Sequence, residues 1–264
     1  RNGAEGVSLT GDASGATGFA TCDDALTAAR GALDCVALTA VQANAGTGLY
    51  VSGPRRVVGR ADLLSGTRAR AGAPSGDGLF VGAGSSVELD GSWWVANARA
   101  GVLVSGAGAS ARVQGASVRD NAGPGVFVQA GATLDGLLYS AVERNGGVGL
   151  GAGEGAALGE ILCDHFLATR PAEVATTLGR VTLADGVSVH RATVRAMTGC
   201  ELSSNARFGL VLNAAAGAFT RNRGQDNLYG LGNYAPAGAT VDDVAAIRGR
   251  AAPPAALPAF AVAP

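Results

Sequence analysis

Asp90 and Asp135 each stand immediately before a glycine, Gly91 and Gly136, and Gln114 stands before Gly115 in the same way. Two carboxylates on one face are the catalytic equipment of a glycoside hydrolase, and their separation sets the stereochemical outcome. If the three residues form one column on successive turns of a repeat, the carboxylates lie roughly 9.6 Å apart, at the far limit for an inverting pair. Asp-Gly is also a favoured turn dipeptide, and turn chemistry is the stronger reading. Asp120 and Glu143, beside Arg119 and Arg144, read as solvated ion pairs. Asp164, His165, His190, Cys163 and Cys200 carry metal-ligating atoms, but no C-x-x-C is present and the repeat spreads them over different bends. We expect no metal site and no cofactor. No Walker, Rossmann or nucleophile-elbow motif occurs either.

The elements that must position these residues follow from one recurring phrase. Ten Asn residues occur and seven have Gly four positions later, far more than composition alone would place there. Six share one register: Asn2, Asn44, Asn97, Asn121, Asn145 and Asn205, each followed after its Gly by a Val or Leu. The period is 23 to 24 residues, with insertions, which signals a solenoid. Inside each period the apolar residues alternate by two and no stretch supports an amphipathic helix. Three short strands per turn, joined by tight bends, make a parallel β-helix in which the Asn residues stack about 4.8 Å apart and bond along the stack. We also expect the Asn to occupy the left-handed backbone position at its bend.

The run GVLVSGAGASARVQGASVRDNAGPGVFVQAG resembles the right-handed parallel β-helix repeat proteins of the pectin-lyase-like superfamily, in particular the secreted Gly- and Ala-rich repeat proteins of GC-rich bacteria. The likeness covers residues 1 to about 234. It implies an all-β solenoid of about 8 to 9 rungs of 22 to 24 residues with two or three inserted loops. It implies no single activity, because the superfamily holds lyases, hydrolases, adhesins and structural rods. A lyase of this kind would carry clustered carboxylates for Ca²⁺ and a basic residue acting on the proton α to a carboxylate, and no tight acidic column is present.

The helix is expected to span 1–250, as the C-terminal part of a longer solenoid, with a Pro/Ala-rich tail over 251–264. Surplus residues at about 68 to 77 and 170 to 185 leave at one bend, between the Asn and Gly columns. Four Cys in an even number suggest the pairs Cys22–Cys35 and Cys163–Cys200 and an oxidising compartment. Tyr50, Phe80, Leu103 and Phe127 fall in an outward column on four consecutive rungs, a stripe that either a partner or the chain's own loops must cover. Trp94 belongs to a core column, whereas Trp93 faces out and could serve as a sugar platform. The net charge of −1, with no basic stripe, argues against nucleic acid. All 20 basic residues are Arg, which fits the codon bias of a GC-rich genome. No apolar run is long enough to span a membrane. The sequence thus reads as a non-catalytic secreted or cell-surface β-helix with a structural or assembly role, or one binding a glycan or another protein chain, self-assembly included. The alternative is a polysaccharide lyase or glycoside hydrolase.

Overall fold

A computed structural model describes residues 7–9, 33–37, 40–69, 75–176, 179–235 and 237–252. Apart from one antiparallel hairpin, its strands pair parallel in three sheets, each strand lying beside the same strand of the next turn. Sheet A runs through nine rungs, from Val7–Leu9 to Tyr229–Tyr234. Sheet B runs from Leu33–Ala37 to Ala239–Val241, and sheet C from Ala40–Gln42 to Glu201–Ser203. The chain passes from A to B to C and back to A, so it is a right-handed parallel β-helix, the sense that twisted parallel strands impose on their crossovers.

Alternate residues of every strand fill the bore. One core cluster holds the inward Val and Leu of sheet A, those of sheet B, and the sheet C column Leu64, Trp94, Val118, Val142, Phe166 and Leu202. Past the last strand of sheet C, a 3-10 turn at Val244–Ala246 brings Ile247 into the same core, closing the C-terminal end of the bore.

The Asn-to-Gly spacing has a steric cause as well as a hydrogen-bonding one. Asn97 Nδ2 donates to Asn121 Oδ1 at 2.9 Å, and Asn121 Nδ2 to Asn145 Oδ1 at 2.8 Å. Asn205 donates in the same way to Asn227 at 3.1 Å. Thr67 and Thr169 stand in this ladder on the two rungs where Asn is missing, Thr67 bonding to Asn97 and Thr169 N donating to Asn205. Any side chain on Gly101 would meet Asn121 Nδ2 at 2.8 Å and Gly125 O at 2.7 Å. Glycine at that place makes room for the amide of the next rung. Left-handed backbone falls one residue earlier than expected, on Ala43, Ala96, Asp120, Arg144 and Ser204, while the Asn itself keeps ordinary torsions and points its amide inward. Asn44 is buried at the N-terminal end of the described ladder, and Asn2 lies outside the described residues.

A second polar ladder lies inside the bend between sheets B and C. Ala116 N donates to Ser140 Oγ at 3.1 Å, Ser140 N to Asp164 Oδ1 at 2.6 Å, and Cys200 N to Asn222 Oδ1 at 3.0 Å. Its members follow a left-handed residue at each turn, Gly115, Tyr139, Cys163, Gly199 and Arg221. This geometry corrects the expected Cys163–Cys200 bridge. Cys163 occupies the left-handed corner and is exposed, whereas Cys200 is the next residue of its own rung and is fully buried. They are out of step by one position, so their side chains diverge, and both are free thiols. The Cys22–Cys35 pair lies outside the residues whose side chains are described.

Candidate functional site

The suspected carboxylate column does not form. Asp90 is level with Gln114, and Gln114 is level with Leu138, not with Asp135. A bulge opens between Ala111 and Arg112 on the pairing with the next rung, and Asp135 is the extra residue. Asp90 and Asp135 are both exposed and stand in different columns on different turns. Counting back from the ladder would have revealed this, since Asp90 and Gln114 lie seven residues before Asn97 and Asn121, and seven before Asn145 is Leu138. Asp120 meets Arg144 at 2.9 Å in a half-exposed pair, with Glu143 beside it at 3.1 Å. The Arg144 guanidinium lowers the Asp120 carboxyl below its ordinary range.

The outer face of sheet A carries the apolar stripe in register, Tyr50 beside Phe80, Phe80 beside Leu103, and Leu103 beside Phe127. It is not a free surface. Leu103 and Phe127 are fully buried and Phe80 is 8% exposed, under a cluster completed by Ala100, Val148 and Leu183. Leu183 comes from a hairpin, Ala172–Thr176 against Gly179–His190, which the second insertion supplies. Only Tyr50 stays half-buried, stacked on Phe80 at 4.8 Å. The next position in the column, Gly151, has no room for a side chain because the Phe127 ring lies 2.3 Å from where its Cβ would be.

Beyond Gly151 the same face turns polar. Asp185 is fully buried in a bidentate pair with Arg207 and also takes Phe208 N at 3.3 Å. Asp77 and Arg99 repeat the arrangement on the other inserted rung, with Ala100 N as the backbone donor. In both, burial pushes the carboxyl upward while the guanidinium fork pulls it back. Each pair pins the point where an insertion rejoins sheet A. Ser188 Oγ lies 3.0 Å from His190 Nε2, and Asn213 Nδ2 lies 3.3 Å from His190 Nδ1. Ser188 and Asn213 thus hold the two ring nitrogens from opposite sides, one partner donating and the other accepting. Burial also drops the His190 imidazolium to about 4, so the ring is neutral near pH 7. Ser188 and His190 are sealed, and the group is a buried hydrogen-bond network rather than a nucleophile site.

The outer face of sheet C differs in every respect. Its outward column reads Ala40, Leu63, Trp93, Ser117, Ala141, His165 and Glu201, each level with the next. A parallel bridge from Glu201 to Arg223 carries the column past the last strand. Trp93 is 42% exposed, while Trp94 beside it fills the bore at 0%. Small Ser117 and Ala141 make a low floor between Trp93 and the exposed His165. Where sheet C ends and the cap begins, a cavity of about 420 Å³ opens, lined by Glu201, Ser203, Arg223, Gln225 and Arg248. Arg223 N donates to Cys200 O, Gln225 N to Ser203 Oγ, and Arg248 N to Gly224 O. These backbone bonds fix where each side chain starts. Sequence reasoning missed the cavity, although Arg223 stands four residues before Asn227, in the same relation as Trp93 to Asn97.

The metal-ligating residues stay apart: His165 lies on open sheet C, His190 under the cover of sheet A, and Asp164 and Cys200 inside the B–C bend. Among the described residues no helix is long and apolar enough to cross a membrane.

No family model and no curated protein matches the chain. Among solved structures it is similar to a double mutant of a periplasmic alginate epimerase, at 12% identity and a TM-score of 0.38 over 81% of this chain and 61% of that one. It is also similar to the catalytic domain of a GH87 α-1,3-glucanase in complex with nigerose, at 8% identity and a TM-score of 0.29 over 81% and 61%. The chain spans about three fifths of the length of these proteins. The strand pairing, not such distant likenesses, defines the fold.

Proposed function

We propose that this chain is a glycan-binding β-helix of the cell exterior that receives an extended polysaccharide along the outer face of sheet C. One observation carries the reading. A single open column runs from the exposed Trp93, over Ser117 and Ala141, to His165, Glu201 and the cavity at Arg223, whereas the apolar stripe of sheet A is closed by the chain itself. Five rung steps separate Trp93 from Arg223, roughly 24 Å at the spacing of neighbouring strands. That length suits an oligosaccharide rather than a single sugar. The indole offers an apolar platform with a polar edge, and the far end offers hydrogen-bonding groups, the two ingredients of sugar recognition. The reading replaces the sheet A stripe of Tyr50, Phe80, Leu103 and Phe127 as the contact surface and keeps Trp93. Calorimetric titration with a panel of linear oligosaccharides tests it: Trp93→Ala should lower affinity at least several-fold with the melting temperature held.

A second reading, that the chain processes such a glycan, is favoured by the direct pairing of His165 with Glu201 at the mouth of the cavity. A base beside groups that could hold a carboxylate suits proton abstraction α to that carboxylate. Release of unsaturated or shortened products, abolished by His165→Ala with binding retained, would establish it. An exterior location accords with the fold, and the Arg-only basic composition accords with a GC-rich bacterial source. A second copy of the chain on the same face would appear in sedimentation as self-association that the glycan competes away.

A further inference from the structure

We infer that the notch between Trp93 and Tyr139, on the bend from sheet B to sheet C, receives the Pro/Ala-rich C-terminal segment of a second copy of this chain. Among the described residues four large hydrophobic side chains are exposed, Trp93, Tyr139, Leu228 and Val244. The two aromatic ones stand on this one bend. Trp93 opens its strand of sheet C two residues past the left-handed corner at Gly91, and Tyr139 is itself the left-handed corner two turns on. The other corners of that column are small, Ala61, Gly91, Gly115, Cys163 and Gly199, until Arg221 at its end. On the turn between the two rings little stands in the way. A β-carbon on Gly115 would come no closer than 3.7 Å to a neighbour, and Ser117 is small and half-buried.

Two exposed rings over a low floor suit an extended, proline-rich strand. One three-residue turn of a polyproline helix spans about 9.3 Å, and the two rings are two rung steps apart, about 9.6 Å along the axis. The carbonyls of such a strand are unpaired. Around the notch the Trp93 indole N–H, the hydroxyls of Ser117 and Tyr139 and the Gln114 amide can donate to them, and none makes a side-chain hydrogen bond among the described residues. The chain carries a matching segment. Residues 251–264 read AAPPAALPAFAVAP, without one charged side chain and with four of the nine prolines, Pro253, Pro254, Pro258 and Pro264. In steps of three, Pro254, Leu257 and Phe260 share one side of such a helix, which aromatic grooves take at low entropic cost. Residues 253–264 lie outside the described residues, but their point of departure is fixed. Ala252 packs with Phe208, Val211 and Tyr234 on the outer side of sheet A, across the bore from the B–C bend. Tyr234 and Tyr139 are four turns apart, about 19 Å. The six residues from Ala252 to Pro258 span about 19 Å as polyproline, so that length is spent before the segment has rounded its own helix. A second copy must therefore supply the prolines.

The inference does not rest on the glycan reading, but it shares Trp93 with it, so a docked segment and a glycan exclude each other there. The test follows the full chain by sedimentation up to high micromolar concentration, with tryptophan emission as a second readout. Trp94 is sealed in the bore, so a change in emission on adding a peptide reports Trp93. The expected result is reversible self-association that a synthetic peptide of residues 251–264 reverses while shifting the emission. Trp93→Ala, Tyr139→Ala and the triple change Pro253→Ser, Pro254→Ser, Pro258→Ser should each weaken association at least several-fold with the melting temperature held. The peptide carrying the same three serines should leave emission unchanged. A chain that stays monomeric and ignores the peptide would overturn the inference, and so would association that survives both the ring and the proline changes. Oligosaccharide titration of the triple proline variant judges the glycan face separately, because that variant keeps Trp93 and lacks the competing segment.

Discussion

The outer faces of sheets A and C are built from the same repeat and differ in which of them the inserted residues fold over. Next to sheet A both insertions leave and rejoin, and the second returns as a hairpin whose Leu183 closes over Leu103 and Phe127. Both insertions follow a strand of sheet C, after Thr67 and Thr169, but the second folds back as a hairpin on the strand that continues sheet A, so its cover falls on that face and leaves Trp93 and His165 exposed. In a solenoid every rung is nearly equivalent, so a face becomes a binding surface by being left uncovered. Large apolar side chains therefore mark the face the chain protects, and small residues beside one exposed Trp mark the face it offers.

That comparison can be broken from the sheet A side first. Arg207→Leu leaves Asp185 buried without its partner, and a loss of about 3–5 kcal/mol in denaturant unfolding is expected. Arg99→Leu should do the same through Asp77, and a loss at only one of the two would show that the insertions are not anchored alike. Phe127→Ala should cost about 3–5 kcal/mol. A loss below about 1 kcal/mol would mean the stripe is not sealed.

The B–C bend supplies a pH dependence of its own. Asp164 is fully buried, its Oδ2 has no partner, and burial pushes its carboxyl up to about 8. The folded chain therefore holds this proton more tightly than the unfolded chain does. The resulting stabilisation is full below the ordinary carboxyl range near 4 and is lost as pH rises to about 8. His190, lowered to about 4, works in the opposite sense between about 4 and its unfolded value near 6.5. The two slopes oppose each other there, and above it the decline through Asp164 continues unopposed by His190 to about 8. Asp164→Asn should flatten the decline between pH 6.5 and 8, and an unchanged slope in urea midpoints would remove Asp164 from the account.

The smallest stability effect belongs to sheet C. Trp93→Ala should change stability by less than about 0.5 kcal/mol, since the side chain is largely outside the core. A larger loss would mean that Trp93 is packed rather than offered.

The period, the three strands per turn and the ladder were legible in the sequence because stacking forces the same residue into the same place each time. Thr67 and Thr169 were not, since Thr takes the Asn place only on rungs where an insertion follows, with the Thr67 hydroxyl bonding to Asn97 and Thr169 joining the ladder through its main-chain N–H alone. The bulge at Asp135 left no mark in local composition, yet it moved that carboxylate out of the Asp90 column. The Cys163–Cys200 mismatch is a single residue, enough in a strand and corner repeat to send one side chain out and the other in. Whether the apolar stripe was covered could not be read either, because cover is a long-range property of the hairpin from residue 172 to 190. The cavity at Arg223 and Arg248 needed the end of sheet C and the cap to be seen together.

The central claim, that sheet C is the face used and sheet A the face closed, is tested most directly by hydroxyl-radical footprinting of the intact chain with and without a saturating oligosaccharide found to bind. The account predicts that Trp93 and His165 lose reactivity on binding while Tyr50 and Phe80 are unchanged. Protection of Tyr50 or Phe80, with Trp93 as reactive as before, would contradict it.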